Sequence, residues 1–106
     1  MISSLPVPPE PLELKKMLKV TLALNNNNIK ILLTGNRIPA YLWSNSRWKV
    51  FLSRNGWTWQ EFLKFISNNV DLIAEWINGK SSWEDFISKL EEKIYSYKPL
   101  RDTKIL

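Results

Sequence analysis

The chain has 106 residues, enough for one hydrophobic core and too few for two, and its 44% hydrophobic and 24% charged residues describe a chain that folds. It contains neither Cys nor His, which removes disulfides, thiolate and imidazole metal sites, cysteine nucleophiles and every Ser-His or Cys-His relay. No metal or cofactor is expected, and no enzyme activity. The net charge of +5 points to an acidic partner, nucleic acid being the commonest.

That charge is unevenly spread. Residues 1–40 carry five basic and two acidic side chains, 41–98 carry eight and seven, and 99–106 carry two and one, so the excess lies mostly outside the stretch that reads as helical. No apolar run approaches the roughly 18 residues of a membrane span. The opening MISSLPVPPEPLEL has neither the basic start nor the apolar centre of a secretory signal. A cytoplasmic protein without membrane contact is expected.

Four prolines in the first eleven residues exclude regular helix and predict a flexible, extended arm over 1–11. Next, Leu18, Val20, Leu22 and Leu24 alternate with Lys19, Thr21 and Ala23, and Ile29, Ile31 and Leu33 alternate with Lys30 and Leu32. This period of two on either side of Asn25–Asn28 predicts a β-hairpin extension over 12–40, although 12–24 also accommodates a helix. A two-stranded hairpin is marginal alone, so it has to pack on helices or pair with another chain.

After Pro39 the period changes to that of a helix. Trp48, Phe51 and Leu52 stand at i, i+3 and i+4 and Asn55-Gly56 stops the run, which predicts a first helix over 41–54, with a start after Ser46 as the shorter version. Thr58 to Glu61 reads as a capping box opening a second helix with Phe62, Leu63 and Ile66 inward. Ser67-Asn68-Asn69 breaks it, an Asn then capping a third helix over 70–77 with Ile73, Trp76 and Ile77 inward. Asn78-Gly79 ends that helix through a left-handed Gly79. Ser82 to Asp85 caps a fourth, whose stripe Trp83, Phe86, Ile87, Leu90 and Ile94 runs to about 97, and 99–106 forms a basic tail. The expected fold class is therefore mainly α: a four-helix helix-turn-helix bundle over 41–98 with an N-terminal β-hairpin. Trp48, Trp76 and Trp83 are expected in the core, whereas Trp57 is expected to pack, with an exposed ligand-facing position as its alternative. Trp59 is expected to be a half-buried packing residue, with an exposed stacking platform as its alternative.

From Gly56-Trp57-Thr58 to Asn78-Gly79-Lys80 the chain resembles the phage repressor and Cro family of helix-turn-helix proteins. Thr58, Glu61, Phe62, Ile66, Ile73, Trp76, Asn78, Gly79 and Lys80 stand at the family's "G-apolar-T-Q-x-E-L-A" and "W-E-N-G-K" positions without a gap, and the likeness covers about residues 46–97. Leu52 and Ile77 stand where relatives often carry an Arg and an acid. Joint replacement of a buried ion pair by apolar residues is tolerated, whereas single replacement strands a charge. The resemblance implies a small transcriptional regulator, repressor-like, that binds duplex DNA as a homodimer, the hairpin edge serving as one possible dimer contact. It implies base reading by Asn69, Val70, Asp71, Leu72, Ala74 and Glu75. Phosphate contacts are expected from Thr58 and Asn78 at family positions and from Arg47, Arg54, Lys64 and Lys80 nearby, while Trp59 stands where relatives place a phosphate-binding Gln. No base-reading position is basic, and two are acidic. The alternative is therefore a protein-interaction module on the same scaffold, using the acidic and apolar third helix and the hairpin edge. A third option is single-strand binding through Trp57 and Trp59.

Overall fold

The computed structural model describes residues 6–24 and 37–97, and for 21–24 the backbone only. Among the described residues there are six helices, in chain order α1 (Leu12–Leu24), α2 (Arg37–Ser44), α3 (Ser46–Arg54), α4 (Trp59–Ser67), α5 (Val70–Ile77) and α6 (Trp83–Tyr97). Among the described residues there is no strand.

The N-terminal β-hairpin is thereby corrected. Its first strand, 18–24, is the second half of α1, and α2 begins within the span assigned to the hairpin extension. The proposed second strand, 29–35, lies outside the described residues. The physical reason is visible in the residues. Within LELKKMLKVTLAL only Val20 and Thr21 are β-branched, and the Leu, Lys, Met, Glu and Ala around them are strong helix formers. Pro11 stands just before the first turn, where its missing N–H costs nothing, and its carbonyl accepts the Lys15 amide at 2.9 Å. Leu14 and Leu18, four apart, face the core, Leu18 fully buried, while Val20 is 61% exposed. Burial therefore follows the helical spacing of α1, which packs against α5.

Where four helices were expected over 41–98, the described residues from 37 to 97 form five. The region read as a first helix over 41–54 is two, divided at Asn45, whose side-chain Oδ1 accepts the amides of Arg47 and Trp48 at 3.1 and 3.2 Å and caps α3. Two of the later helices start as their sequences require: Thr58 Oγ1 accepts the Glu61 amide at 3.2 Å, and Ser82 Oγ accepts that of Asp85 at 3.1 Å.

Both Asn-Gly pairs make the same exit. At the end of α5 the Lys80 amide donates to the Glu75 carbonyl at 2.9 Å and the Gly79 amide to Trp76 at 3.1 Å, with Gly79 at φ +78°. At the end of α3 the Trp57 amide donates to Leu52 at 2.9 Å and the Gly56 amide to Ser53 at 3.1 Å, with Gly56 at φ +85°. This paired bonding of the last carbonyls defines a Schellman motif and reverses the chain within two residues.

Helix α2 lies against α3 and α4, and α6 against α5. Trp48, Leu52, Phe62, Ile66, Ile73, Trp76, Ile77, Phe86 and Ile87 are all at most 1% exposed and form the centre, joined by Ile38 and Leu42 from α2. Leu63, expected inward, is only half-buried, and Phe65 takes the interior place. Residues 6–11, expected as a flexible arm, run extended over the tryptophan-rich side of this core, with Pro8 buried.

Tyr95 of α6 packs edge-on against Phe51 and donates its hydroxyl to Glu91 Oε2 at 3.1 Å. Burial first, then the Glu91 charge and that hydrogen bond, push the hydroxyl from 10.0 up to about 12. A folded-state value above the unfolded one means that this contribution to stability is intact below about pH 10 and is lost as pH rises toward about 12. In an alkaline titration followed by phenolate absorbance, with the Tyr95→Phe chain subtracted, the Tyr95 step is expected well above 10.0 and Glu91→Gln to bring it to lower pH. A Tyr95 step unmoved by Glu91→Gln would leave burial as the sole cause.

Candidate nucleic-acid interface

The turn between α4 and α5 consists of Asn68 and Asn69 alone, so 58–78 is two helices joined by a tight bend. Asn68 has helical dihedrals, with its amide bonded to the Lys64 carbonyl at 3.1 Å. The Asn69 side chain was expected to cap α5. It turns back instead and donates to the Phe65 carbonyl at 2.8 Å, tying the bend to the end of α4.

Along α5 the side chains divide by the helical period. Leu72, Ile73, Trp76 and Ile77 point into the core, while Asp71, Glu75 and Asn78, at i, i+4 and i+7, form the accessible stripe, flanked by half-buried Val70 and Ala74. The expected base-reading set is therefore split. Leu72 is 7% exposed and cannot meet a thymine methyl without leaving its packing. Asn69 is engaged with α4, and α1 leans on α5. Of the rest, Asp71 is exposed while Val70, Ala74 and Glu75 are half-buried, and the only charges among them are acidic. Glu75 Oε1 sits 3.5 Å from Lys89 Nζ with both side chains about half exposed, an ion pair worth little in water. Asp71 lies in the first turn, where its charge suits the helix dipole.

The expected phosphate-binding residues are accessible but scattered. Arg47 and Arg54 stand near opposite ends of α3, about 10 Å apart along its axis at a helical rise of about 1.5 Å per residue. Thr58 caps α4, Lys64 is exposed in its last turn, and Asn78 and Lys80 follow α5. Trp59 is half-buried and meets Trp43 edge-on, with ring centroids 5.9 Å apart. Trp57 is 3% exposed, enclosed by Phe62, Phe65 and Tyr97, so it offers no free face for a nucleobase.

Among the described residues there is no cluster of three or more acidic side chains able to hold a metal ion, and no helix long and apolar enough to cross a membrane. Searches of protein-family models, of curated proteins and of solved structures find no match to this chain. The likeness to the repressor and Cro family therefore rests on the residues between Gly56 and Lys80 themselves.

Proposed function

We propose that this chain is a protein-interaction module built on a helix-turn-helix scaffold, whose contact surface is the Asp71–Glu75–Asn78 stripe of α5 and whose partner is basic. The observation that supports it is the character of α5: its apolar side is occupied by the protein's own core and its accessible side carries two carboxylates. Against duplex DNA each close carboxylate–phosphate approach costs about 1 kcal/mol even in water. Against lysine or arginine side chains the same charges attract. A cytoplasmic setting is part of this proposal.

A second reading, a repressor-type regulator binding duplex DNA as a homodimer, is supported by the two-residue bend and the capped, Schellman-terminated pair α4–α5, which suit the family's motif. Under that reading Arg47, Arg54, Lys64 and Lys80 carry the affinity and base preference is slight.

A titration of random duplex DNA at increasing salt separates the two. The interaction module predicts no saturable binding at low salt, together with amide shifts confined to 70–78 when a lysine-rich peptide is added, shifts that Asp71→Lys with Glu75→Lys abolishes. Saturable duplex binding whose logarithm falls steeply with that of salt concentration, reporting several released counterions, overturns the module and favours the regulator.

A further inference from the structure

The arm over residues 6–11 is bound as a ligand would be. Every residue in Pro6-Val7-Pro8-Pro9-Glu10-Pro11 is a proline or precedes one, so the segment is held extended before it meets anything. Its prolines have no N–H, and its recognisable groups are carbonyls at fixed spacing. The protein answers with aromatic donors from four helices. Trp48 Nε1 donates to the Pro6 carbonyl at 3.1 Å, Trp83 Nε1 to that of Pro8 at 2.6 Å, and the Tyr41 hydroxyl to that of Pro9. Trp76 Nε1 donates to Glu10 Oε2 at 2.9 Å, and Lys15 Nζ stands 3.6 Å from the same oxygen and 5.4 Å from the Trp76 ring centroid. Pro8 is buried among these rings, while Pro6, Val7 and Pro9 are exposed. The arm thus lies at the edge of the core, and its departure uncovers the indole N–H groups of Trp48, Trp76 and Trp83.

We infer that the groove formed by Tyr41, Trp48, Trp76 and Trp83 is a binding site for proline-rich peptide, that it accepts a partner's segment with a buried proline followed two residues later by a carboxylate, and that residues 6–11 are its built-in competitor. An aromatic groove with side-chain donors suits any chain preset in the polyproline conformation, because little ordering entropy opposes binding. The contacts to Pro6, Pro8 and Pro9 read carbonyls alone, so nothing in them is specific to a covalently attached segment. The carboxylate contact adds direction. While the arm is seated, affinity for an incoming peptide falls in proportion to the fraction of open groove. This site is separate from the α5 stripe and stands whether or not that surface binds a basic partner.

The test uses the full chain and a synthetic peptide, PVPPEPL, matching residues 6–12. Glu10→Lys removes the Trp76 and Lys15 contacts of the arm and is expected to raise peptide affinity at least about tenfold over the unaltered chain. The indole N–H signals of Trp48, Trp76 and Trp83 should shift, while those of Trp43, Trp57 and Trp59 stay. A peptide with Lys for its Glu should bind more weakly. The sequence has no Cys and Val7 is 47% exposed, so Val7→Cys takes a single nitroxide without disturbing packing. Its broadening of the three indole signals should fade as peptide is added. The proposal is overturned by a folded Glu10→Lys chain that binds no more tightly than the original. Broadening that saturating peptide leaves unchanged overturns it independently, including where Glu10→Lys fails to fold.

Discussion

Trp76→Ala is expected to cost about 3–5 kcal/mol, the range for removing a large aromatic from a packed core. Trp76 is 0% exposed, its ring centroid is 4.9 Å from that of Trp83 and 5.9 Å from that of Phe86, and it sits where α5 meets α6. Truncation leaves a cavity at that junction and also strands Glu10, whose carboxylate then keeps only Lys15 among these contacts. A domain of this size has about 5–15 kcal/mol in all, so the variant lies near the edge of folding. Urea denaturation should show a lower midpoint with an unchanged slope. Trp76→Phe separates the two losses, because it retains most of the ring and removes the N–H. Trp59→Ala supplies the contrast: half-buried and meeting Trp43 edge-on, it should cost less than half as much. Equal costs for Trp59 and Trp76 would mean that the junction is not where the stability resides.

The helices from α3 onward were legible because short-range chemistry marks their ends. Asn55-Gly56 and Asn78-Gly79 can turn left-handed at no side-chain cost, and Thr58 and Ser82 cap α4 and α6, so each boundary is decided within about four residues. Helix α1 was not legible in this way. Leu18, Val20, Leu22 and Leu24 satisfy a period of two as well as they populate a helix, and the helix formers around them are reinforced by packing on α5, more than forty residues away. The same distance hid the state of the candidate site. Asp71 and Glu75 were recognisably acidic, but Leu72 looked free to read a base because the packing of its neighbours cannot be seen locally. The arm was hidden for a related reason. Four prolines read as a tail, and the signal that they dock was divided between them and Trp48, Trp76 and Trp83, whose indole N–H groups need acceptors when buried.

Leu52 and Ile77 allow the register of the family resemblance to be measured. Both are at most 1% exposed, and under the resemblance they stand where repressor-family proteins often carry an Arg and an acid. Leu52→Arg alone places an uncompensated charge in the core and is expected to cost about 3–5 kcal/mol or more, and Ile77→Glu alone the same. With the two side chains opposed as the resemblance requires, the double variant rebuilds an ion pair and recovers about 1–3 kcal/mol of the summed losses. A double-mutant cycle in urea measures that coupling, and a parallel cycle with Leu52→Ala and Ile77→Ala covers the event that a single charged variant does not fold. Additivity within about 0.5 kcal/mol in both cycles means that the residues do not touch, and the gapless alignment from Thr58 to Lys80 then loses its independent support. Strong coupling shows instead that Leu52 and Ile77 meet across α3 and α5, as the resemblance implies. The acidic outer stripe of α5 is compatible with that contact, since a charge on the outside can change without disturbing the packing that holds the helix in place.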